Sequence, residues 1–465
     1  MSRINTNVGS LIARNALATN TGSYNTSLQR LSTGLKINSG KDDPAGLIAS
    51  ESLKSEETGI NAALSNAQRA DNVVATADGG LGEVSNLLTQ LTSLVSSSAN
   101  SGGLSDDEVA ANQLQVDSIL NTINRIAGTT SFDGKKLLNG TLDYTTSGVS
   151  SGTINDLHIN AASLGSNSSI TVNVSVLASA SSAEVQYTGS TIGSATTIEI
   201  GGNKGVQQLS FASGTSMSSV ATAINALADV TGVSATVSGS SVRLDSKTEG
   251  SDQFVSVKAI SGTFTTDKNR AEGKDASVSV NGASATVHGT DVSYRNASID
   301  LSFSLDDKFN KTGSTSFEIT GGGANFSLGS KVNYGDMASI GISSVTTGSL
   351  GSKDLGYLLS LGSGGANSLS SKNLTTAQQI VDKSSQQVSS LRGRLGAFQK
   401  FTIGATISNL NVALENVQSS ESAITDTDFA SETANLTRTQ ILTSAAQTVL
   451  SQANSAPQAA LRLLQ

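Results

Sequence analysis

The sequence predicts an α+β protein in which the N- and C-terminal segments form a long antiparallel α-helical coiled-coil bundle, with a β-rich domain inserted between them. Apolar residues recur at alternating spacings of three and four at both ends of the chain, and at every second residue in the middle. The first spacing is typical of helices in a coiled coil, and the second is typical of strands with one buried face. The middle is also rich in Ser, Thr and Gly.

The longest helical pattern extends over five heptads and favours a bundle helix, since a helix of a globular domain usually has only ~8–20 residues. We expect this helix to continue through Gly79, Gly80 and Gly82, although each costs about 1 kcal/mol relative to Ala, because the apolar register is unbroken across them. The predicted packing seam of this helix consists of Ile60, Ala63, Ala67, Ala70, Val74, Ala77, Leu81, Val84, Leu88, Leu91 and Val95.

Helices are also predicted before and after the seam helix. A first helix is expected within Ile4–Leu35, followed by a turn over Asn38–Pro44, where Pro44 suits the first position of the next helix. Ser105 and Glu108 form the pattern of a capping box that opens a third helix. The Asp133-Gly134 pair then predicts a small hairpin.

The middle of the chain, residues 144–373, is predicted to form one or two small β-rich domains. Asn281-Gly282 between two alternating segments is a strong hairpin signal. A β-α-β-β unit is expected at about 196–258. The run Gly321–Gly323 is interpreted as a loop, because it lacks the Lys-Ser/Thr of a phosphate-binding loop.

Helical spacing returns after about Leu374, and its phase then shifts, which predicts a stutter that locally relaxes the supercoil. A break is expected at Thr425–Asp428, followed by a last helix that Pro457 interrupts. The C-terminal part of the packing seam is predicted to be Ile403, Ile407, Leu410, Leu414, Val417 and Ile424. Residues 44–143 and 374–425 are therefore expected to form one helical domain with the small hairpin.

The outermost segments, 1–43 and 426–465, have broad apolar stripes but no third partner within the chain. We expect them to be disordered in a monomer and to become ordered when other copies cover the stripes. The residues that we predict for this inner-core assembly are Ile4, Val8, Leu11, Leu28, Leu31, Leu35, Phe429, Leu436, Val449, Leu461 and Leu464.

Composition argues against several classes of function. A net charge of −8 argues against binding to a nucleic-acid backbone. With no Cys in the chain, disulfides and thiolate chemistry are excluded, and no apolar run reaches the ~18 residues needed for membrane insertion. His158 and His288 are interpreted as incidental, and no nucleophile–base pair is recognisable. We therefore expect no enzymatic activity, no cofactor and no metal.

The two ends of the chain resemble bacterial flagellin. The resemblance covers about 1–143 and 374–465, and residues 196–258 are similar to a small repeat in the variable region of many flagellins and hook proteins. It is most specific in the segments INTNVGSLIARNAL (4–17), LQRLSTGLKINSGKDDPAGLIASESLKSE (28–56), INRIAGTTSFDGKKLLNG (123–140), LGAFQKFTIGATISNL (395–410) and QANSAPQAALRLLQ (452–465).

This resemblance implies an extracellular structural subunit, exported unfolded and polymerised into the flagellar filament. The termini would form the inner tube, the heptad helices the shell, and the variable part the outer surface. Implied partners are other copies of the chain, an export chaperone that grips Asp428–Gln465, the filament cap and the hook–filament junction proteins. Two alternatives are a hook–filament junction protein and a flagellin-based carrier that displays an adhesive or enzymatic outer domain. Separately, the Ser/Thr richness of the insertion favours O-glycosylation.

The chain departs from the family at the positions sensed by the vertebrate Toll-like flagellin receptor. Flagellins that this receptor senses carry a basic and an acidic residue on the shell helix, in a run ending Ser-Ala-Asn. In this chain the matching positions are Gln90 and Ser93, while Leu94 is retained. The resemblance therefore implies weak activation of that receptor.

Overall fold

The fold is a computed structural model that describes residues 6–100, 103–150, 152–371 and 373–462, with side chains up to residue 456. Ile4 and Leu464 lie outside the described residues, and only the backbone of Leu461 is described. The chain divides into two compact units. Unit 1 contains the chain up to Gln68, Leu328–Val332 and the chain from Gly404, and unit 2 contains Arg69–Ser327 and Asn333–Ile403.

Helices occupy both ends of the chain, as the apolar spacing predicts. The helix Pro44–Ser98 continues through Gly79, Gly80 and Gly82 without a break. The side chain of Ser105 and that of Glu108 form the predicted capping box at the start of the helix Asp106–Thr129. The helices are α1 (Val8–Thr33), α2 (Pro44–Ser98), α3 (Asp106–Thr129), α4 (Met217–Asn225), α5 (Ala228–Thr231), α6 (Leu374–Ala397), α7 (Gly404–Thr425) and α8 (Phe429–Arg462), with short 3-10 helices at Tyr334–Asp336, Leu358–Leu361 and Leu369–Ser371.

The phase shift of the C-terminal apolar rows coincides with a π-helical turn, Phe398–Ile403, between α6 and α7. A π turn contains one more residue than an α turn, so the rows that follow it move to a different face of the helix. The predicted change of register is therefore accommodated within one turn of the backbone.

Strands fill the middle of the chain. They are β1 (Ser131–Phe132), β2 (Lys135–Lys136), β3 (Tyr144–Ser147), β4 (Ile154–Ala162), β5 (Ile170–Ala178), β6 (Glu184–Thr188), β7 (Thr196–Gly202), β8 (Gly205–Phe211), β9 (Val233–Ser238), β10 (Ser241–Ser246), β11 (Phe254–Ser261), β12 (Arg270–Glu272), β13 (Ser277–Val280), β14 (Ala283–Ser284), β15 (Thr286–His288), β16 (Asp291–Arg295), β17 (Ile299–Leu305), β18 (Gly313–Gly322), β19 (Ala324–Ser327), β20 (Met337–Ile340), β21 (Gly351–Ser352) and β22 (Gly356–Tyr357).

The β-rich middle contains two separate hydrophobic cores. The first β core lies between a sheet of order β14-β13-β5-β18-β3 and one of order β15-β16-β17-β4, and includes Val174, Phe303 and Phe317. The second β core lies among the sheets β6-β10-β9 and β12-β11-β7-β8 and helix α4, and includes Ile198 and Val220. The segment with the second core is inserted between β5 and β13 of the first.

Two predicted turns have the backbone that a tight hairpin requires. Asp133 and Gly134, between β1 and β2, have φ values of 50° and 78°. Asn281 and Gly282, between β13 and β14, have φ values of 51° and 81°. Consecutive positive φ values are typical of the type I′ turn, which matches the right-handed twist of the paired strands.

The predicted β-α-β-β unit is wrong in its element order. Strand β8, Gly205–Phe211, lies between the first strand and α4 and pairs antiparallel with β7. With the short helix α5 after α4, the unit is β-β-α-α-β-β. Its strands also belong to two sheets rather than one. The alternation in β8 is weak because most of its side chains are exposed, which is why the sequence pattern does not reveal it.

The glycine run at 321–323 is a loop only at Gly323, the bend between β18 and β19. Gly321 and Gly322 are the last residues of β18, where the pairing with β3 has a bulge. A Cβ on Gly322 would lie 2.3 Å from the carbonyl oxygen of Asp143. Because φ is also positive at this position, glycine is required there by a close strand approach.

The predicted interruption at Pro457 is also wrong, since α8 continues as helix to Arg462. Proline in a helix interior removes one backbone hydrogen bond and normally kinks or ends the helix. Side-chain contacts near the N-terminus of the chain explain the continuation and are described below.

Candidate assembly surface

Helices α1 and α8 pack along each other within unit 1 through small side chains. On α1 the buried residues are Ala13 and Ser27, and on α8 Ala446 is buried. Arg30 and Glu432 form an ion pair between the two helices at 3.6 Å. Small residues let two helices approach closely, but they remove little apolar surface from water.

The two segments that connect these helices to the rest of unit 1 are joined by backbone hydrogen bonds. The N–H of Lys36 donates to the carbonyl of Thr425 at 2.6 Å, and the N–H of Thr427 donates to that of Gly34 at 2.9 Å. Asp428 then caps α8, because its carboxylate accepts from the N–H of Ala430 at 3.0 Å. The start of α8 is therefore fixed beside the end of α1.

The large apolar side chains of α1 and α8 are exposed rather than packed between the two helices. Ile12 is 66% exposed and Ile441 is 64% exposed. Among the predicted inner-core residues, Leu31 and Leu436 are half-buried. We define the terminal apolar surface as the exposed residues Val8, Leu11, Ile12, Leu28, Leu35, Phe429, Ile441, Leu442 and Val449.

Three members of this surface, Ile12, Ile441 and Leu442, were not among the predicted inner-core residues. Ile12 follows Val8 by four residues, and Val449 follows Ile441 by eight, so each pair shares a helix face. That spacing is the signal that could have identified them.

The residues of the predicted packing seam differ in burial along the chain. All eleven seam positions of α2, from Ile60 to Val95, are buried. In the C-terminal part Ile403 and Leu410 are buried, whereas Ile407, Leu414, Val417 and Ile424 are half-buried. In unit 1 a cluster forms from Ile60, Ala63 and Leu410, with Leu414 and Val417 packed against it. The α7 side is therefore less covered than the α2 side.

Charged groups join the helices inside each unit. In unit 1, Lys54 of α2 lies 3.8 Å from Glu421 of α7. In unit 2, the Arg392 Nε of α6 lies 2.9 Å from the Asp78 carboxylate of α2. Asp78 holds the pKa of Arg392 above its usual range through that hydrogen bond. Because solvent reaches at least one partner of each pair, each pair adds less than about 1 kcal/mol and mainly favours one helix register.

A polar groove of about 460 Å³ lies in unit 2 between α6 and the sheet that contains β4. His158, Asp156, Lys383 and Arg394 line it, and a guanidinium N–H of Arg394 donates to the side-chain oxygen of Asn160. Burial lowers the pKa of His158 below its usual range, so this side chain is neutral at pH 7. Cations and carboxylates both line the groove, and the arginine fastens α6 to β4.

The receptor-like positions are on α2. Gln90 and Ser93 are exposed and Leu94 is half-buried.

No helix in the described part of the chain is long and apolar enough to cross a membrane. Within the same residues, no group of three or more His, Asp or Glu side chains could hold a metal ion.

Comparison with known proteins gives matches at both ends and over the full length. Residues 4–143 match the bacterial flagellin N-terminal helical region, residues 378–464 the bacterial flagellin C-terminal helical region, and residues 197–248 the flagellin hook IN motif. Flagellin D of Vibrio cholerae serotype O1 is 30% identical over 474 residues, which cover 99% of each chain. Polar flagellin F of Vibrio parahaemolyticus serotype O3:K6 is 31% identical over 477 residues, again covering 99% of each chain.

Solved structures also resemble the chain. The structure of FliC from Burkholderia pseudomallei covers 71% of this chain and 99% of its own, at 15% identity and a TM-score of 0.25.

Proposed function

The chain belongs to the bacterial flagellin family and is a structural subunit of the extracellular flagellar filament; from this premise we propose that it self-assembles through its terminal apolar surface. The observation that carries the proposal is the inverted packing of α1 and α8. Small residues lie between the two helices, while Ile12, Ile441 and similar large residues remain exposed. A contiguous exposed apolar face is typical of an interaction site.

The free energy available from burying the terminal apolar surface favours simultaneous contacts with several subunits over a simple dimer. Fully burying a Val, Leu, Ile or Phe side chain contributes about 1.5–3 kcal/mol. The nine residues of the terminal apolar surface are already half covered, so new burial supplies on the order of 10 kcal/mol. Association of two proteins costs about 4–15 kcal/mol in lost freedom. A subunit therefore needs several neighbours at once, which a helical filament provides.

The same argument supports disorder of the outermost segments, 1–43 and 426–465, before assembly. An α1–α8 pair held by alanines, serines and a few polar contacts has little apolar burial to offset the chain entropy of ordering about 80 residues. Ordering on assembly transfers that cost to the step at which neighbours cover the surface. A chain with unstructured ends also suits export in an unfolded state.

We further propose a division of the chain into layers. Residues 44–143 and 374–425 would form a coiled-coil shell around the inner-core segments, and residues 144–373 would form the outer region. The complete burial of the α2 seam and the partial burial of Ile407, Leu414 and Val417 support a bundle that is completed by other copies. The filament cap, the hook–filament junction proteins and an export chaperone for 428–465 are the further partners that family membership suggests.

The first experiment tests the surface with single substitutions. We expect Ile12→Gln and Ile441→Gln each to raise the critical concentration for polymerisation in salt by about tenfold or more, because each removes roughly 1–2 kcal/mol of apolar burial. Glutamine has a better helix propensity than isoleucine, so the helices themselves are not weakened. Sedimentation and electron microscopy provide the measurement.

Leu177→Gln is the matched control, because Leu177 is equally exposed but belongs to β5. We expect this variant to polymerise as the unmodified protein does. A chain that lacks 1–43 and 426–465 should form no filaments. Filaments of normal length from the truncated chain, or equal effects at Ile12 and Leu177, would remove the role proposed for the ends.

A further inference from the structure

Pro457 leaves one carbonyl of α8 without its helical donor. In an α-helix the N–H of each residue donates to the carbonyl four positions earlier, and proline has no N–H. The carbonyl left free is therefore that of Ala453, nine residues before the last residue of the helix, Arg462. In the structure the side-chain amide of Asn7 donates to this carbonyl oxygen at 2.6 Å.

Asn7 makes a second contact with its other amide atom. Its side-chain oxygen accepts from the backbone N–H of Ser10 at 3.0 Å and so caps the start of α1. One side chain thus satisfies a free donor of α1 and a free acceptor of α8. Aspartate could cap α1 but could not donate to Ala453, because an ionised carboxylate only accepts. Beside it the Ser10 hydroxyl donates to the Asn454 side-chain oxygen at 2.8 Å.

The Arg30–Glu432 ion pair and the backbone hydrogen bonds of Lys36 and Thr427 hold the end of α1 beside the start of α8. Towards the start of α1, the seam specifies the register only weakly without the contact of Asn7. Apart from Glu432, the buried residues of the two helices are small, namely Ala13, Ser27 and Ala446, and small side chains fit against each other in more than one register. In the described part of α8, by contrast, Pro457 removes the helical donor of one interior carbonyl, that of Ala453. A slide of one helical turn, about 5.4 Å, would break the bond to Asn7 and leave that acceptor without a partner.

We propose that Asn7 is the positioning residue that sets the register of the first part of α1 against the last part of α8, and that Pro457 creates the acceptor that Asn7 recognises. The inference rests on the proposed role of α1 and α8 in assembly. It explains why α8 continues through Pro457, because the hydrogen bond lost from the helix backbone is replaced from α1. Pro457 thereby determines which carbonyl of α8 can accept the hydrogen bond from Asn7. Its role is comparable to that of a polar residue that fixes the register of a coiled coil.

The test is a double-mutant cycle on the critical concentration for polymerisation. Asn7→Asp keeps the cap and removes the donor, and we expect it to raise the critical concentration by about five- to tenfold. With Pro457→Ala, the restored N–H takes the carbonyl of Ala453. In that background Asn7→Asp should change the critical concentration less than about twofold.

An equal effect of Asn7→Asp in both backgrounds, with the unmodified protein polymerising normally, overturns the inference. Failure of the unmodified protein to polymerise would instead overturn the proposed function. The two failures are therefore distinguishable.

A second readout measures the register directly in the filaments that each variant forms, whatever its critical concentration. The chain has no cysteine, so a short bismaleimide cross-linker reports only introduced pairs. In filaments, Ser10→Cys with Asn454→Cys should cross-link efficiently, and Ser10→Cys with Leu450→Cys, one turn away, should not. Adding Asn7→Asp should shift yield from the first pair to the second. An unchanged ratio of the two yields would contradict the positioning role.

Discussion

At the scale of single residues, Asp306 shows how one carboxylate joins separate parts of the first β core. It accepts hydrogen bonds from the backbone N–H of Lys308, from the Asn155 side chain and from the Lys353 ammonium, at 3.0–3.1 Å. These contacts, led by the N–H of Lys308, lower the pKa of Asp306 to about 2 from an ordinary 3.8. The folded state therefore favours the ionised form.

The sign of the pH dependence follows from that shift. A carboxyl whose pKa is depressed on folding contributes its stability fully above about pH 4 and loses it as the pH falls towards 2. We expect Asp306→Asn to lower the free energy of unfolding at pH 7 by on the order of 1–2 kcal/mol and to flatten its decline between pH 4 and 2. Urea unfolding followed by near-ultraviolet circular dichroism measures both. A variant with the same decline as the unmodified protein would contradict this assignment.

Gln90 and Ser93 lead to a second prediction at this scale. Each position lacks a charge that receptor-activating flagellins carry, and a charge-assisted hydrogen bond contributes on the order of 1–3 kcal/mol. We propose that the chain activates the Toll-like flagellin receptor at least tenfold less potently than such flagellins, and that Gln90→Arg with Ser93→Glu restores potency in a reporter assay. Thr89→Arg with Ser96→Glu is the control, because both residues are exposed nearby on α2. Full potency of the unmodified chain would contradict the proposal that Gln90 and Ser93 weaken activation of the receptor.

At the scale of elements, α2 contains two neighbouring glycines with opposite surroundings. A Cβ on Gly79 would meet no atom within 4 Å. A Cβ on Gly80 would lie 2.8 Å from a methyl carbon of Leu138 and 2.9 Å from the hydroxyl of Thr130. The helix tolerates both glycines, but only Gly80 is needed for the close approach of the segment after α3.

This difference predicts opposite changes in stability from the same substitution. Gly79→Ala should raise the free energy of unfolding by about 0.5–1 kcal/mol, since alanine restricts the unfolded chain and favours helix. Gly80→Ala should lower it by about 1–3 kcal/mol through overpacking. Thermal unfolding of the two monomeric variants provides a matched comparison. Equal shifts in Tm of the same sign would show that the contact with Leu138 is not limiting.

At the scale of the whole molecule, the second β core is attached to the first where the chain leaves and returns, and Glu249 and Ser251 of the inserted segment also contact Asn310 and Asp275. Ser181 and Lys274 form a pair of backbone hydrogen bonds of 2.9 and 3.0 Å where the chain leaves and returns. The second core has its own buried apolar set. Because the entry and exit points are adjacent, removal of the segment requires no rearrangement of the first core.

Removal of residues 182–273, with Ser181 joined to Lys274 through a two-residue Asn-Gly turn that preserves their pairing, should therefore leave a chain that still polymerises. We expect filaments of normal length and an unchanged critical concentration within about threefold, as seen by electron microscopy and sedimentation. Retained helix content in circular dichroism is the control for folding. A well-folded deletion chain that forms no filaments would assign the second core a part in assembly.

Much of this architecture could be predicted from the sequence, because a helix or strand with one buried face has apolar residues at a regular spacing along the chain. The capping box at Ser105 and the turn at Asn281-Gly282 depend on residues three or fewer positions apart, and both are present as expected. Strand β8 was missed because its exposed side chains carry no alternation. The predicted interruption at Pro457 was wrong because the carbonyl of Ala453, which Pro457 leaves free, accepts from Asn7. These two residues are 446 positions apart in the chain.

The sequence by itself determined that the ends are helical, that the middle is β-rich, and which apolar rows the long helices carry, since these depend on local spacing. Only the tertiary structure decided which side chains of α1 and α8 lie between the helices and which remain exposed, how the strands divide between two cores, and how α8 continues through a proline. Those features depend on contacts between residues far apart in the chain, whose pairing no local pattern specifies.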